Sequence, residues 1–123
     1  MIIDDKVNQL ENLLLQRAKA KKVIKYPEIY SIFNKSVPRN DVWDTFEEAC
    51  RNIASSDDAI FGALMSNKDE IPESGFFDIY QNKRYDKYQK LSNGKHILDL
   101  SLNEKKLITE DERATVFDYA SNI

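Results

Sequence analysis

The sequence predicts an α+β fold that is mostly helical: one compact domain over residues 1–123, with five or so helices and a small sheet. Two long segments carry apolar residues at three- and four-residue intervals, the spacing that lines one face of a helix. The first holds Val7, Leu10, Leu14 and Ala18; the second holds Val42, Trp43, Phe46, Ala49, Cys50 and Ile53. Two short apolar stretches, 59–65 and 95–102, read instead as strands. At 123 residues the chain can bury one core but not two.

In order, Asp4 or Asp5 caps a first helix that ends near Lys21, with Leu13 widening its apolar stripe and Arg17, Lys19, Lys21 and Lys22 at its negative pole. A short helix follows over 27–33, with Pro27 at the first helical position, where proline loses no needed donor. Residues 34–39 are a loop, and Asn40 or Asp41 caps the next helix. The stretch 59–65 is a buried strand, and 67–75 is a long turn closed by Gly75, which supplies a backbone conformation other residues resist. Ile60, Phe61, Leu64, Phe76 and Phe77 centre the core. From Phe76, the positions Phe77, Tyr80, Tyr88 and Leu91 fit one helix or two broken pieces. Asn93-Gly94 is a turn signal, and Leu98, Leu100 and Leu102 alternate as in a strand. Thr109 and Glu112 have capping-box spacing, which starts a last helix through Ala114, Val116, Phe117 and Ala120.

Composition narrows the function. A net charge of -3 counts against a protein devoted to gripping phosphate backbones. The single cysteine, Cys50, permits no internal disulfide and fits a reducing, cytoplasmic setting. No apolar run reaches membrane-spanning length and no leader-like start is visible. Catalytic groups are few: Cys50 falls on a core stripe, far along the chain from the only histidine, His96, and no paired-histidine or phosphate-cradling glycine motif occurs. The expectation is therefore a non-enzymatic protein without cofactor or metal.

Two charged groups remain as candidate contact sites. Asp41, Asp44, Glu47 and Glu48 gather on the third helix opposite its apolar stripe, with Asp57 and Asp58 just past its end. A solvated helix face has this composition too, but the density of carboxylates suits a basic partner, since opposed charge steers encounter and selects the partner. The alternative is nucleic acid, contacted by Lys83, Arg84, Lys87 and Lys90 among Tyr80, Tyr85 and Tyr88. Tyrosines at that spacing also form the wet edge of a core.

Tyr26-Pro27-Glu28-Ile29, Pro38-Arg39, Gly62-Ala63-Leu64-Met65-Ser66-Asn67-Lys68-Asp69, Pro72 and Gly75-Phe76-Phe77 stand in an order that resembles a family of small, largely uncharacterised bacterial proteins. That family runs through a Tyr-Gly-Glu-Leu-like helix, an Ala-Leu-x-x-x-Lys-Asp-like strand and a Pro-Gly-x-Gly-Phe-Phe turn. The resemblance spans roughly residues 10–80. Pro27 and Glu73 replace two of the family's glycines, which implies a looser turn here. The order is also similar to the winged-helix half of alkyltransferase-like DNA-repair proteins. Gly62-Ala63-Leu64-Met65 stands where their reactive Pro-Cys-His-Arg would be, so this resemblance implies a winged-helix-like shape, with 67–75 as the wing, and no repair chemistry. In that shape the acidic third helix would face the phosphates, which counts against nucleic-acid binding. In type, a small acidic chain of this kind resembles the immunity proteins of contact-dependent growth inhibition systems, which implies a basic nuclease toxin as partner.

Overall fold

The computed structural model describes residues 1–123. Helix α1 (Asp4–Lys19) turns Leu10, Leu14 and Ala18 into the core, where it packs against α3 (Arg39–Ile53) and α6 (Leu102–Ser121). Its Asp4 and Asp5 lie in the first turn but do not cap; Ile3 occupies the cap position without a side-chain bond. The helix closes through Lys21, at φ 56°, with N–H groups of Lys21 and Lys22 donating to the carbonyls of Ala18 and Arg17. This is a Schellman closure built on lysine rather than glycine.

Strand β1 (Ile24–Lys25) leads into α2 (Tyr26–Tyr30), which carries Pro27 in its first turn. The Arg17 guanidinium bonds both the Glu28 carboxylate and the Val23 carbonyl, so part of the basic run at the end of α1 is spent holding α2. Helix α3 buries Val42, Thr45, Phe46 and Ala49. Its cap position is Pro38, not Asn40 or Asp41.

The expected strand over 59–65 is instead a 3₁₀ turn, Phe61–Leu64, followed by the two-residue strand β2 (Met65–Ser66). The segment is buried as expected, yet three of its backbone groups are satisfied by side chains of α6. Glu112 accepts from the Ile60 N–H at 2.9 Å. Arg113 donates to the carbonyls of Ala63 and Met65 at 2.7 and 2.9 Å. With such partners a buried chain need not extend to satisfy its polar groups.

Strand β2 pairs with β1 in parallel, Ile24 opposite Met65. From β2 the chain passes into a helix that begins at Ser74, with no strand returning to pair with it, so 67–75 is not the loop of a hairpin wing. Its tight point is Glu70, at φ 66°, and not Gly75, which lies inside α4 (Ser74–Lys83). Helix α4 breaks at Arg84 into α5 (Tyr85–Leu91), the second of the two arrangements that the aromatic spacing left open.

Asn93 and Gly94 both take left-handed conformations, at φ 55° and 73°. Residues 95–102 then form no strand. Ile97 and Leu100 are buried, while Leu98 is 86% exposed, a three-residue repeat that fits the 3₁₀ turn Ile97–Asp99. Helix α6 starts seven residues before Thr109, through a capping box between Ser101 and Glu104. Thr109 lies mid-helix, its hydroxyl donating to the Lys105 carbonyl. One cluster of 26 buried residues, including Ile60, Phe61, Leu64, Phe76 and Phe77, forms the core. No helix is long and apolar enough to cross a membrane.

Candidate functional site: an aromatic cleft between α3 and α4

The predicted acidic face is largely engaged within the molecule. The ammonium of Met1 lies 2.8 Å from Asp41 and 2.7 Å from Asp44. Glu48 pairs with Arg51 at 3.2 Å, and Asp57 pairs with Lys83 at 3.1 Å. Of the six predicted carboxylates only Glu47 and Asp58, both exposed, make no ion pair.

The basic group is engaged in the same way. Lys83 meets Asp57, and Lys87 meets Asp111 at 3.4 Å. Arg84 enters the interior to bond Glu112. Lys90 alone of the four carries no ion pair. The two stretches expected to recognise different partners thus meet each other at Asp57 and Lys83.

What their helices enclose is a cleft of about 780 Å³. Helix α3 supplies one wall, with Arg39, Trp43, Glu47 and Arg51 at successive four-residue steps and Phe46 and Cys50 beside them. Helix α4 supplies the other through Phe76, Ile79, Asn82 and Lys83. Residues 59–62 and Met65 make the floor, and Tyr26 and Tyr30 of α2 close one end with Pro72 and Glu73. The two walls have different supports, since α3 packs on α1 and α4 on α5. Two ties fix the distance between the sides: the Lys83–Asp57 ion pair at one end, and at the other the Glu73 N–H donating to Tyr26 Oη at 2.8 Å.

The closed end is an aromatic cluster around Trp43, the only tryptophan in the chain. Tyr26, Tyr30 and Phe46 meet it edge to face at centroid distances of 5.3, 5.6 and 5.2 Å, a favoured geometry for rings. Its indole N–H donates to Tyr30 Oη at 3.1 Å. The Arg39 guanidinium lies 5.1 Å from the Tyr30 ring centroid and makes no ion pair. Burial pushes the Tyr26 phenol up to about 12, so it stays protonated and neutral.

Cys50 lies on the cleft wall with its thiol pushed well up by burial, and the nearby Glu47 charge adds to the shift. A thiol held protonated is a poor nucleophile, as its place on the core stripe implied. His96 is remote in role as well as in sequence: its Nδ1 accepts from the Leu98 N–H at 3.1 Å. No group of three or more His, Cys, Asp or Glu residues converges as a metal site would need.

Of the predicted contact residues, then, the cleft gathers Glu47 and Lys83, and leaves Asp58 and Lys90 outside. It also gathers Tyr26, Tyr30, Arg39, Trp43 and Glu73, none of which charge counting singled out. The signal for Tyr26, Tyr30 and Trp43 was present as aromatic density on two successive helices, but nothing local marked Arg39 or Glu73, and nothing in the spacing says that α4 stands across from α3. Compared with known protein families, curated proteins and solved structures, the chain matches none.

Proposed function

We propose that this chain is a non-enzymatic protein-interaction domain that binds and neutralises a basic partner, such as a nuclease toxin, as an immunity protein does in the bacterial cytoplasm. The observation that carries the reading is the composition of the cleft mouth. Glu47 and Glu73 stand there without cation partners, above a floor and walls of Phe46, Ile60, Phe61 and Phe76. An apolar, aromatic centre with unpaired polar groups at its rim is the anatomy of a protein-binding hot spot. Net charge of -3 supports a basic partner, and the lone cysteine supports a reducing compartment.

The nucleic-acid reading has less support, because three of its four cations already hold carboxylates. Phosphate binding would have to release them.

The test is capture and identification of a partner from the native host by the wild-type chain and by Glu47→Lys combined with Glu73→Lys. A basic protein held by the wild type should bind the variant about tenfold more weakly, mainly through slower association, with thermal unfolding nearly unchanged. Equal capture by both would remove this surface from the reading. Capture of nucleic acid with a steep salt dependence would replace the reading.

A further inference from the structure

We infer that the α3–α4 cleft seats a partner segment in which a cationic side chain stands beside a large apolar one. The inference rests on the protein-binding reading and names what the site takes.

Charge complementarity within the cleft selects this occupant. Three cations and two carboxylates line it, but they are not equivalent. Arg51 and Lys83 are each held by a carboxylate outside the lining, Glu48 and Asp57. Glu47 and Glu73 have no such partner. The uncompensated groups are therefore two carboxylates and Arg39, and the addition of one cation brings them to balance. An anionic occupant would find one free cation, Arg39, against two free carboxylates, and would leave the lining further from balance.

The aromatic end shows how a cation would be received. Arg39 already places its guanidinium 5.1 Å from the Tyr30 centroid, within cation–π reach. Tyr26 and Trp43 extend the same cluster towards Glu73, whose N–H is tied to Tyr26. A cationic head seated in the cleft shares its lining with the Tyr26 and Trp43 rings and with the Glu47 and Glu73 carboxylates, while an adjacent apolar side chain lies over Phe76 and Ile79. Ile79 is 38% exposed and gains cover by it.

Two glycines line the cleft and leave room for this occupant. A Cβ added at Gly62 or at Gly75 would meet nothing within 4 Å, and neither residue has a positive φ. Side chains can therefore be placed there to fill the cleft without backbone strain.

The probe is the capped tripeptide N-acetyl-Phe-Arg-Phe-amide, titrated against the full chain and read by Trp43 fluorescence and by amide shifts in the NMR spectrum. The same peptide with citrulline, a neutral shape match, or with glutamate in place of arginine gives the comparison, and adenosine monophosphate tests a stacking ligand. The arginine peptide should bind saturably at millimolar level or better, with shifts centred on Trp43, Glu47 and Ile79. It should bind about five- to tenfold tighter than the citrulline peptide. Glu47→Gln with Glu73→Gln should abolish that difference, and Gly62→Leu or Gly75→Leu should weaken all the peptides. Equal binding of the arginine, citrulline and glutamate peptides would overturn the inference while leaving an apolar protein-binding cleft in place. Preference for adenosine monophosphate, or no shift with any peptide, would overturn it as well. Partner capture that survives Gly62→Leu and Gly75→Leu but is lost with Asp58→Lys, a charge outside the lining, would retain the protein-binding reading and remove the cleft as its seat.

Discussion

Arg84 and Glu112 face each other in the interior as a forked pair, Nε to Oε1 and Nη2 to Oε2 both at 3.2 Å. The Glu112 side chain is fully buried and that of Arg84 is 12% exposed. The second Glu112 function, accepting the Ile60 N–H, ties the α4–α5 break to the floor of the cleft through one carboxylate. A residue whose type and neighbours suggested phosphate binding is thus an internal strut.

Removing one member of a buried pair strands the other. Arg84→Met should therefore lower unfolding free energy by roughly 3–5 kcal/mol, whereas Lys83→Met, which breaks only the exposed pair with Asp57, should cost less than about 1 kcal/mol. Denaturant titration of both variants checks the contrast. Burial pushes the Glu112 carboxyl up, against the pull of the Ile60 N–H and Arg84. With Arg84 gone that upward shift grows, so Arg84→Met should recover stability as pH falls and lose it as pH rises.

Arg113 replaces a sheet ladder for the segment around Phe61. Arg113→Leu leaves the buried carbonyls of Ala63 and Met65 without donors, at a cost of roughly 2–5 kcal/mol. Amide exchange should quicken first at Met65 and Ser66, where β2 meets β1. A loss under about 0.5 kcal/mol would mean that these carbonyls find other donors.

Glu104 is the acid-sensitive contact. Its carboxylate accepts from the Ser101 N–H, Asn93 Nδ2 and Lys95 Nζ, and these bonds, the backbone one foremost, bring its pKa from 4.5 down to about 2. A depressed carboxyl contributes stability above its unfolded pKa and loses it as protons are forced on. The melting temperature should therefore fall as pH drops from about 4.5 towards 2, and Glu104→Gln should flatten that part of the profile. Parallel acid profiles for the two proteins would remove Glu104 as the cause.

Lys21 closes α1 in the left-handed region at φ 56°, which costs a residue with a Cβ about 1 kcal/mol relative to glycine. Lys21→Gly should raise stability by roughly 0.5–1 kcal/mol and the melting temperature by a few degrees. A decrease would show that the lysine side chain makes up the difference by its position at the negative end of the helix.

The elements readable from the sequence are those whose evidence is local. Leu10, Leu14 and Ala18 form one stripe wherever α1 is placed, and Val42, Phe46 and Ala49 do the same for α3, because period and burial follow from a single helix meeting any apolar surface. The Asn93-Gly94 turn was legible for the same reason, whereas the aromatic spacing after Phe76 fitted one helix as well as the two that form, α4 and α5. Strand assignments failed where backbone partners come from far away: 59–65 looked extended until Glu112 and Arg113 supplied its bonds, and Leu98 completed an alternation that no neighbouring strand uses. The start of α6 was missed because Ser101–Glu104 and Thr109–Glu112 offer the same capping spacing, and only the Asn93 and Lys95 contacts to Glu104 favour the first.

By itself the sequence determined a mostly helical α+β chain with one apolar core and a surface rich in both charges. Which charges remain available was decided by tertiary structure alone. Ion pairing depends on distances between residues far apart in the chain, such as Asp57 to Lys83 and Arg84 to Glu112, and those distances exist only once the helices are packed. The same packing sets α4 across from α3 and so creates the cleft, with Glu47 and Glu73 as the unpaired carboxylates at its mouth.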